Sequence, residues 1–323
     1  MFKSRPLTTE TRKTRSPLPM KEFATEGLNI PLKKNWSDSW CSLPEICESV
    51  LPEILNYEVR PDDVFVVTFM KCGTTWMQET AWLLINNLDY EKSKQFAVLD
   101  RSPFLEDHGI VFGARNAVEY SHSLPSPRLL KSHMPASLLP LQLWERKQKT
   151  IYVARNCKDV VVSSYHFMKK LGLWSGDNME DYVNDFINNE LNYTSYWNHI
   201  VDFWKMRNEP HIFFVTYEEM KKDLASVIQR LCTFLERPQL TAEEMERTLD
   251  HLSFDKMRSY EKMTNDLKEK IPKATEDFQF LRRGIVGSFK DELTPELREK
   301  IDNWSQNYLA QHGLTEEDIF GKL

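Results

Sequence analysis

Asp62-Asp63-Val-Phe-Val-Val-Thr68-Phe-Met-Lys71-Cys-Gly73-Thr-Thr-Trp76 decides how the rest of this chain is read. Val64–Thr68 is a short β-branched and aromatic run, the mark of a buried strand. A loop, Phe69–Gly73, follows at once. Thr74–Asn87 then reads as a helix with Trp76, Thr80, Leu83 and Leu84 roughly on one face. Backbone N–H groups at such a helix start are unpaired, the helix dipole adds positive potential, and Lys71 adds a full charge. Together these make an anion cradle; a plain βα turn, relieved by Gly73, is the alternative. The loop is not that of a nucleoside-triphosphate kinase, because Lys71 precedes the only glycine.

The strand–loop–helix unit recurs. Lys149–Ala154 reads as a strand and Lys158–Lys170 as a helix. His211–Thr216 reads as a strand and Glu218–Leu235 as a helix. Arg128–Lys131 reads as a shorter strand, and Thr294–Gln311 as a late helix. Alternation of this kind predicts an α/β fold: a single domain with a central parallel sheet flanked by helices. Residues 26–60 read as short helices.

Three further segments carry chemistry. In Ile151–Ser163, Arg155 leaves a strand end and Ser163 lies on the following helix, so both can meet one phosphate. Pairing of Arg155 with a nearby carboxylate is the alternative. Asp159 suits the first turn of that helix. In Arg128-Leu-Leu-Lys131-Ser-His133, the histidine falls at the carboxyl edge of the sheet, where open α/β sheets place their sites. Lys131 nearby disfavours a charged imidazole and keeps a base available. In Phe280-Leu-Arg282-Arg283-Gly284-Ile-Val-Gly287, two guanidinium groups and glycines suit the wrapping of an anion.

Composition bounds the answer. The chain has 323 residues and a net charge of −6, so neither nucleic acid nor an anionic membrane is a global partner, and an anionic ligand needs a locally basic site. Five cysteines, an odd number without CxxC spacing, fit free thiols in a reducing compartment and a cytoplasmic protein. The eight histidines form no metal motif, and no metal is expected. Residues 1–25 carry Lys3, Arg5, Arg12, Lys13 and Arg15 among prolines and read as a disordered basic tail ahead of one domain, 26–323. A transit peptide is the alternative there. Ser259–Arg283 is charged and weakly periodic and reads as a lid loop.

In their order and spacing, the four motifs resemble those of the cytosolic sulfotransferase family over about Arg60–Glu299. The wording of Cys72–Glu79 and of Arg101-Ser-Pro-Phe-Leu-Glu106 is similar to that of arthropod members. The resemblance implies a P-loop-like phosphosulfate-binding loop and a donor, 3′-phosphoadenosine 5′-phosphosulfate (PAPS), that leaves as PAP. Lys71, Cys72, Gly73, Thr74 and Thr75 would hold the 5′-phosphosulfate. Trp76 and Phe254 would sandwich the adenine, with Ser253 beside them and Tyr217 at its edge. Arg155, Ser163, Leu281, Arg282, Arg283 and Gly284 would bind around the 3′-phosphate. Phe104 and Phe167 would line the pocket of a small hydroxylated acceptor, aromatic or sterol-like. His133 would be the base, with Lys71 and Lys131 as electrostatic helpers.

The sequence departs from the family pattern at Met70 (for Pro), Cys72 (for Ser), Leu252 (for Thr) and Leu281 (for Met). Pro295 replaces a Val of the family's dimer signature and removes a backbone donor, which argues against a homodimer of that kind. Cys72, beside Lys71 at a helix start, is a candidate redox-sensitive thiol; simple replacement of one small residue by another is the alternative. A PAP- or PAPS-binding protein without catalysis, and an enzyme eliminating water through a sulfated intermediate, are the competing functions.

Overall fold

The computed structural model describes all residues except 1, 8–13, 28–29, 108–115, 260–264, 266–267, 270, 272 and 323. Four strands, β4 (Val64–Thr68), β5 (Leu129–Ser132), β6 (Thr150–Ala154) and β7 (Ile212–Thr216), form one parallel sheet in the order β5-β4-β6-β7. Val66 pairs with Lys131 on one side and Ile151 on the other. Every residue of β4, β5 and β6 is buried, as expected of a parallel sheet with helices on both faces. Helices Thr74–Ile85 and Leu224–Phe234 pack one apolar layer over the sheet, where Val66, Ile151 and Val215 meet Leu83 and Leu231. Cys157–Lys170 and Tyr196–Lys205 belong to the other layer, with Phe65, Val67 and Tyr152.

The amino end of the sheet is pinned by charge. Arg128, just before β5, donates to both oxygens of Asp63, just before β4, at 2.7 and 2.6 Å. Neither side chain is exposed at all. Arg128 also donates to the Glu58 carbonyl at 3.1 Å.

Two expectations are corrected. The reading of residues 1–25 as a disordered tail fails where the segment is described. Here β1 (Phe2–Pro6) pairs antiparallel with β2 (Met20–Thr25), which pairs with β3 (Cys41–Pro44). Phe23 is fully buried in the main core, Arg5 lies 3.9 Å over the Trp40 ring, and Arg5 bonds Glu22 at 2.7 Å. Alternating contacts of this kind give a short segment enough burial to order. The helix read over 218–235 is two helices, Tyr217–Lys222 and Leu224–Phe234, because Asp223 leaves helical geometry and caps the second through Ser226 N–H at 3.0 Å. The late helix runs Pro295–Ala310, with Thr294 as its cap and Pro295 in the first turn, where its missing N–H costs nothing. Nine residues of the proposed lid, Ser259–Arg283, lie outside the described residues.

Candidate active site

All four strands of the parallel sheet discharge their carboxyl ends into one cavity of about 470 Å³. From β4 come Lys71, Gly73, Thr74, Thr75 and Trp76; from β5, Lys131 and His133; from β6, Arg155; from β7, Tyr217. Ser163 and Phe167 reach it from the helix after β6, Phe104 from the segment beside β5, and Ser253, Phe254, Leu281, Arg282, Arg283 and Gly284 from the carboxyl part of the chain. Of the residues proposed from sequence for catalysis, nucleotide or acceptor binding, Cys72 alone does not line the cavity.

The loop after β4 is drawn tight. Lys71 has φ +65° and Gly73 φ +97°. A Cβ on Gly73 would stand 2.6 Å from Tyr217 Cδ2, so only glycine lets that ring close on the loop. Tyr217 in turn lies edge-on to Trp76 at 5.7 Å and under Arg155 at 4.3 Å. The Trp76 Nε1–H is held by the Leu252 carbonyl at 3.0 Å.

Positive charge gathers here in a protein that is acidic overall. Arg155 donates to the carbonyls of Lys71 and Ile285, each at 3.1 Å, rather than to a carboxylate. Its Nε is buried without a partner. Lys71 Nζ sits over the rings of Phe167 and Phe280 at 4.3 and 4.6 Å. Burial, and then the charges of Arg155, Lys131 and Arg282, draw its ammonium down to about 7. An anion beside these groups would reverse that penalty. Arg282 and Arg283 are held by Glu292 and Asp291 at 2.6 and 2.7 Å. The turn behind them hangs on Asp159, which accepts from Gly287 N–H at 2.7 Å, Ser288 Oγ–H at 2.9 Å and Phe289 N–H at 3.1 Å. Asp159 thus does more than suit a helix dipole: it fastens the arginine loop to the first turn of the helix after β6. The cradle, its orphaned Arg155 Nε and its aromatic rings fit a nucleotide bearing anionic groups.

His133 faces the same space from β5. Its Nδ1 lies 2.8 Å from the Thr68 carbonyl, which only accepts, so Nδ1 carries the proton and Nε2 keeps its lone pair. Burial, and then Lys131, hold the imidazole well below the usual histidine range. A neutral ring with a free Nε2 is a base in waiting. Its main chain is fixed on both sides: the N–H donates to Glu106 Oε1, and the carbonyl accepts from His199 Nε2 at 3.0 Å. Phe104 and Tyr193 stand edge-on to the ring at 5.1 and 5.4 Å. Lys131 Nζ lies 3.8 Å over Phe104.

Sequence reading did not find Glu106, Tyr193, His199 or the grip of Asp159. Each acts across more than twenty positions of chain, so even Asp159 and Glu106, which fall inside quoted segments, gave no local sign of these contacts. The redox reading of Cys72 is corrected. The side chain is fully buried and faces away from the cavity, and desolvation pushes its thiol up, opposite to activation. Among the described residues no group of His, Cys, Asp or Glu is arranged to hold a metal ion, and no helix is long and apolar enough to cross a membrane.

A basic, ring-lined cleft at the carboxyl edge of a parallel sheet, with a buried neutral histidine across it, describes an enzyme of anionic group transfer. The sulfotransferase domain model matches residues 61–313, and the chain belongs to that family. It is 36% identical over 258 residues to sulfotransferase 1 family member D1 of Mus musculus, covering 77% of this chain and 84% of that one. It is 33% identical over 290 residues to the luciferin sulfotransferase of Photinus pyralis, covering 83% and 77%. In three dimensions it resembles retinol dehydratase in complex with retinol and PAP, with a TM-score of 0.81 at 24% identity over 95% of this chain and 96% of that one. A different mouse sulfotransferase, solved in complex with PAP, is similar at a TM-score of 0.65 and 24% identity, over 83% of this chain and 91% of that one. The protein is a sulfotransferase of that family.

Proposed function

We propose that the cavity transfers the sulfuryl group of PAPS to a hydroxyl of a small, flat acceptor, with His133 as general base. The carrying observation is that the four strand exits converge, so that the cationic cradle and the free Nε2 of His133 open on one space. Lys71, Gly73, Thr74 and Thr75 hold the 5′ end of the nucleotide. Trp76, Tyr217, Ser253 and Phe254 surround its base. Arg155, Ser163, Leu281, Arg282, Arg283 and Gly284 enclose its 3′-phosphate. PAPS supplies the activated sulfuryl group.

The remaining chemistry belongs to the chain. His133 Nε2 receives the hydroxyl proton while the acceptor oxygen attacks, and Nδ1, already protonated on the Thr68 carbonyl, stabilises the resulting imidazolium. Lys71 and the loop N–H groups would hold the donor's 5′ end and offset the negative charge that the leaving group takes up. Lys131 offsets charge near the acceptor. Phe104, Phe167 and Tyr193, with Met168 and Leu173, give that end apolar walls suited to a phenol or a sterol-like alcohol. The five free cysteines support a cytoplasmic placement.

The test is a panel of phenols, catechols and sterols incubated with PAPS, with products read by mass spectrometry. A sulfated product is expected. A dehydrated product would assign the chain to water elimination, and PAP binding without turnover on any member would assign it to nucleotide binding alone.

A further inference from the structure

The segment before Glu106 runs as an extra rung beside β5. Lys131 N–H donates to the Pro103 carbonyl at 2.9 Å, and Leu105 N–H donates to the Lys131 carbonyl at 3.0 Å. Phe104 bridges Lys131 in parallel register. The next N–H in that ladder belongs to His133, and the partner there is the Glu106 carboxylate instead of a carbonyl. A side chain therefore ends the strand at the residue that carries the base. Glu106 is buried and lines the cavity. Its Oε1 serves His133, and its Oε2 is buried with no hydrogen-bond partner.

A buried carboxylate with one unsatisfied oxygen is costly unless a charge offsets it. The charged groups facing Glu106 can be named. Lys131 is the cation; Asp107, Lys71 and His133 also act on or face Lys131, and burial pushes the Glu106 carboxyl up to about 7, so that it is ionised on the alkaline side where Lys131 titrates. From the other elements come Cys41, Cys47 and Tyr193, each pushed up by burial and so neutral near pH 7. We propose that Glu106 is a positioning residue for the transfer, which fixes His133 through its main chain and supplies the negative charge that keeps Lys131 an ammonium. The proposal rests on the sulfuryl-transfer reading.

The direction of the effect is set by linkage. Burial draws Lys131 down to about 8, while Glu106 and then Asp107 act to raise it. Lys131 loses its charge as pH rises through that value. Glu106→Gln keeps an oxygen for the His133 N–H and removes the charge, so Lys131 must titrate lower.

The experiment starts from wild type, which must bind PAP and sulfate an acceptor; if it does neither, the transfer reading fails and Glu106 is not the cause. kcat is then followed from pH 6 to 9 for wild type and Glu106→Gln, with PAP affinity by calorimetry to establish that the variant is folded. The expected result is an alkaline limb displaced downward, so that the loss grows with pH. In a Lys131→Met background the same swap should add no pH-dependent loss. A constant factor at every pH would mark Glu106 as merely structural, and superimposed profiles would remove it from the reaction; either overturns the proposal. Should the variant not fold, NMR of wild type with ¹³C-labelled lysine decides. Lys131, assigned by its loss in Lys131→Met, should show two inflections, one of them as the Glu106 carboxyl ionises, and a single inflection between about pH 4 and 11 overturns the proposal.

Discussion

Gly284 has φ +65°, and a Cβ placed on it would stand 2.2 Å from Cδ2 of Phe254. The glycine therefore serves two neighbours at once: it lets Arg283 turn toward the cavity and lets the Phe254 ring lie on the backbone. Gly284→Ala forces either the ring or the loop to move. PAP affinity should fall about tenfold or more, the worth of one charge-assisted hydrogen bond, while the melting temperature changes little. Calorimetric titration with PAP checks this, and unchanged affinity would detach the loop from the nucleotide. The pair of arginines and the glycine were legible in the sequence as a motif. That Phe254 needs the missing Cβ was not, because the two residues are thirty positions apart. The same limit hid Glu106 and His199: one holds the N–H of His133 and the other its carbonyl, and neither contact leaves a local pattern.

At the scale of elements, the strands were legible because buried parallel strands must be short, apolar and β-branched, and these are. Their starting points owe more to polar residues. Asp63 and Arg128 lock β4 and β5 in register at the end of the sheet away from the cavity, with both charges withdrawn from water. Asp63→Ala leaves the Arg128 guanidinium buried and uncompensated. Stability by urea unfolding should fall by about 3–5 kcal/mol, although the site is untouched. A loss below about 1 kcal/mol would mean that water or another carboxylate replaces the partner. The break at Asp223 was not legible, because apolar residues keep helical spacing on both sides and only the capping geometry separates the two helices. The strand β3 and the pairing of β1 with β2 were hidden for a related reason. Basic residues and prolines signal disorder in isolation, but here Arg5 and Lys3 cover Trp40 and Phe23 enters the core.

For the molecule as a whole, the arrangement places chemistry where the four parallel strands end and stability where they begin. The order β5-β4-β6-β7 sets the loop after β4 between His133 after β5 and Arg155 after β6. That order is why residues scattered from Lys71 to Gly284 act together, and why four weak motifs combine into one specific site. The most direct measurement is transfer of labelled sulfuryl from PAPS to a phenol of high pKa, by wild type and by His133→Ala, with PAP affinity determined alongside. A neutral hydroxyl attacks poorly until its proton leaves, so the base should contribute about 10²–10⁴-fold. The account predicts a loss of that size in kcat with PAP affinity nearly intact, because the nucleotide contacts come from other strand exits. Turnover retained by His133→Ala, or PAP affinity lost together with turnover, would contradict it.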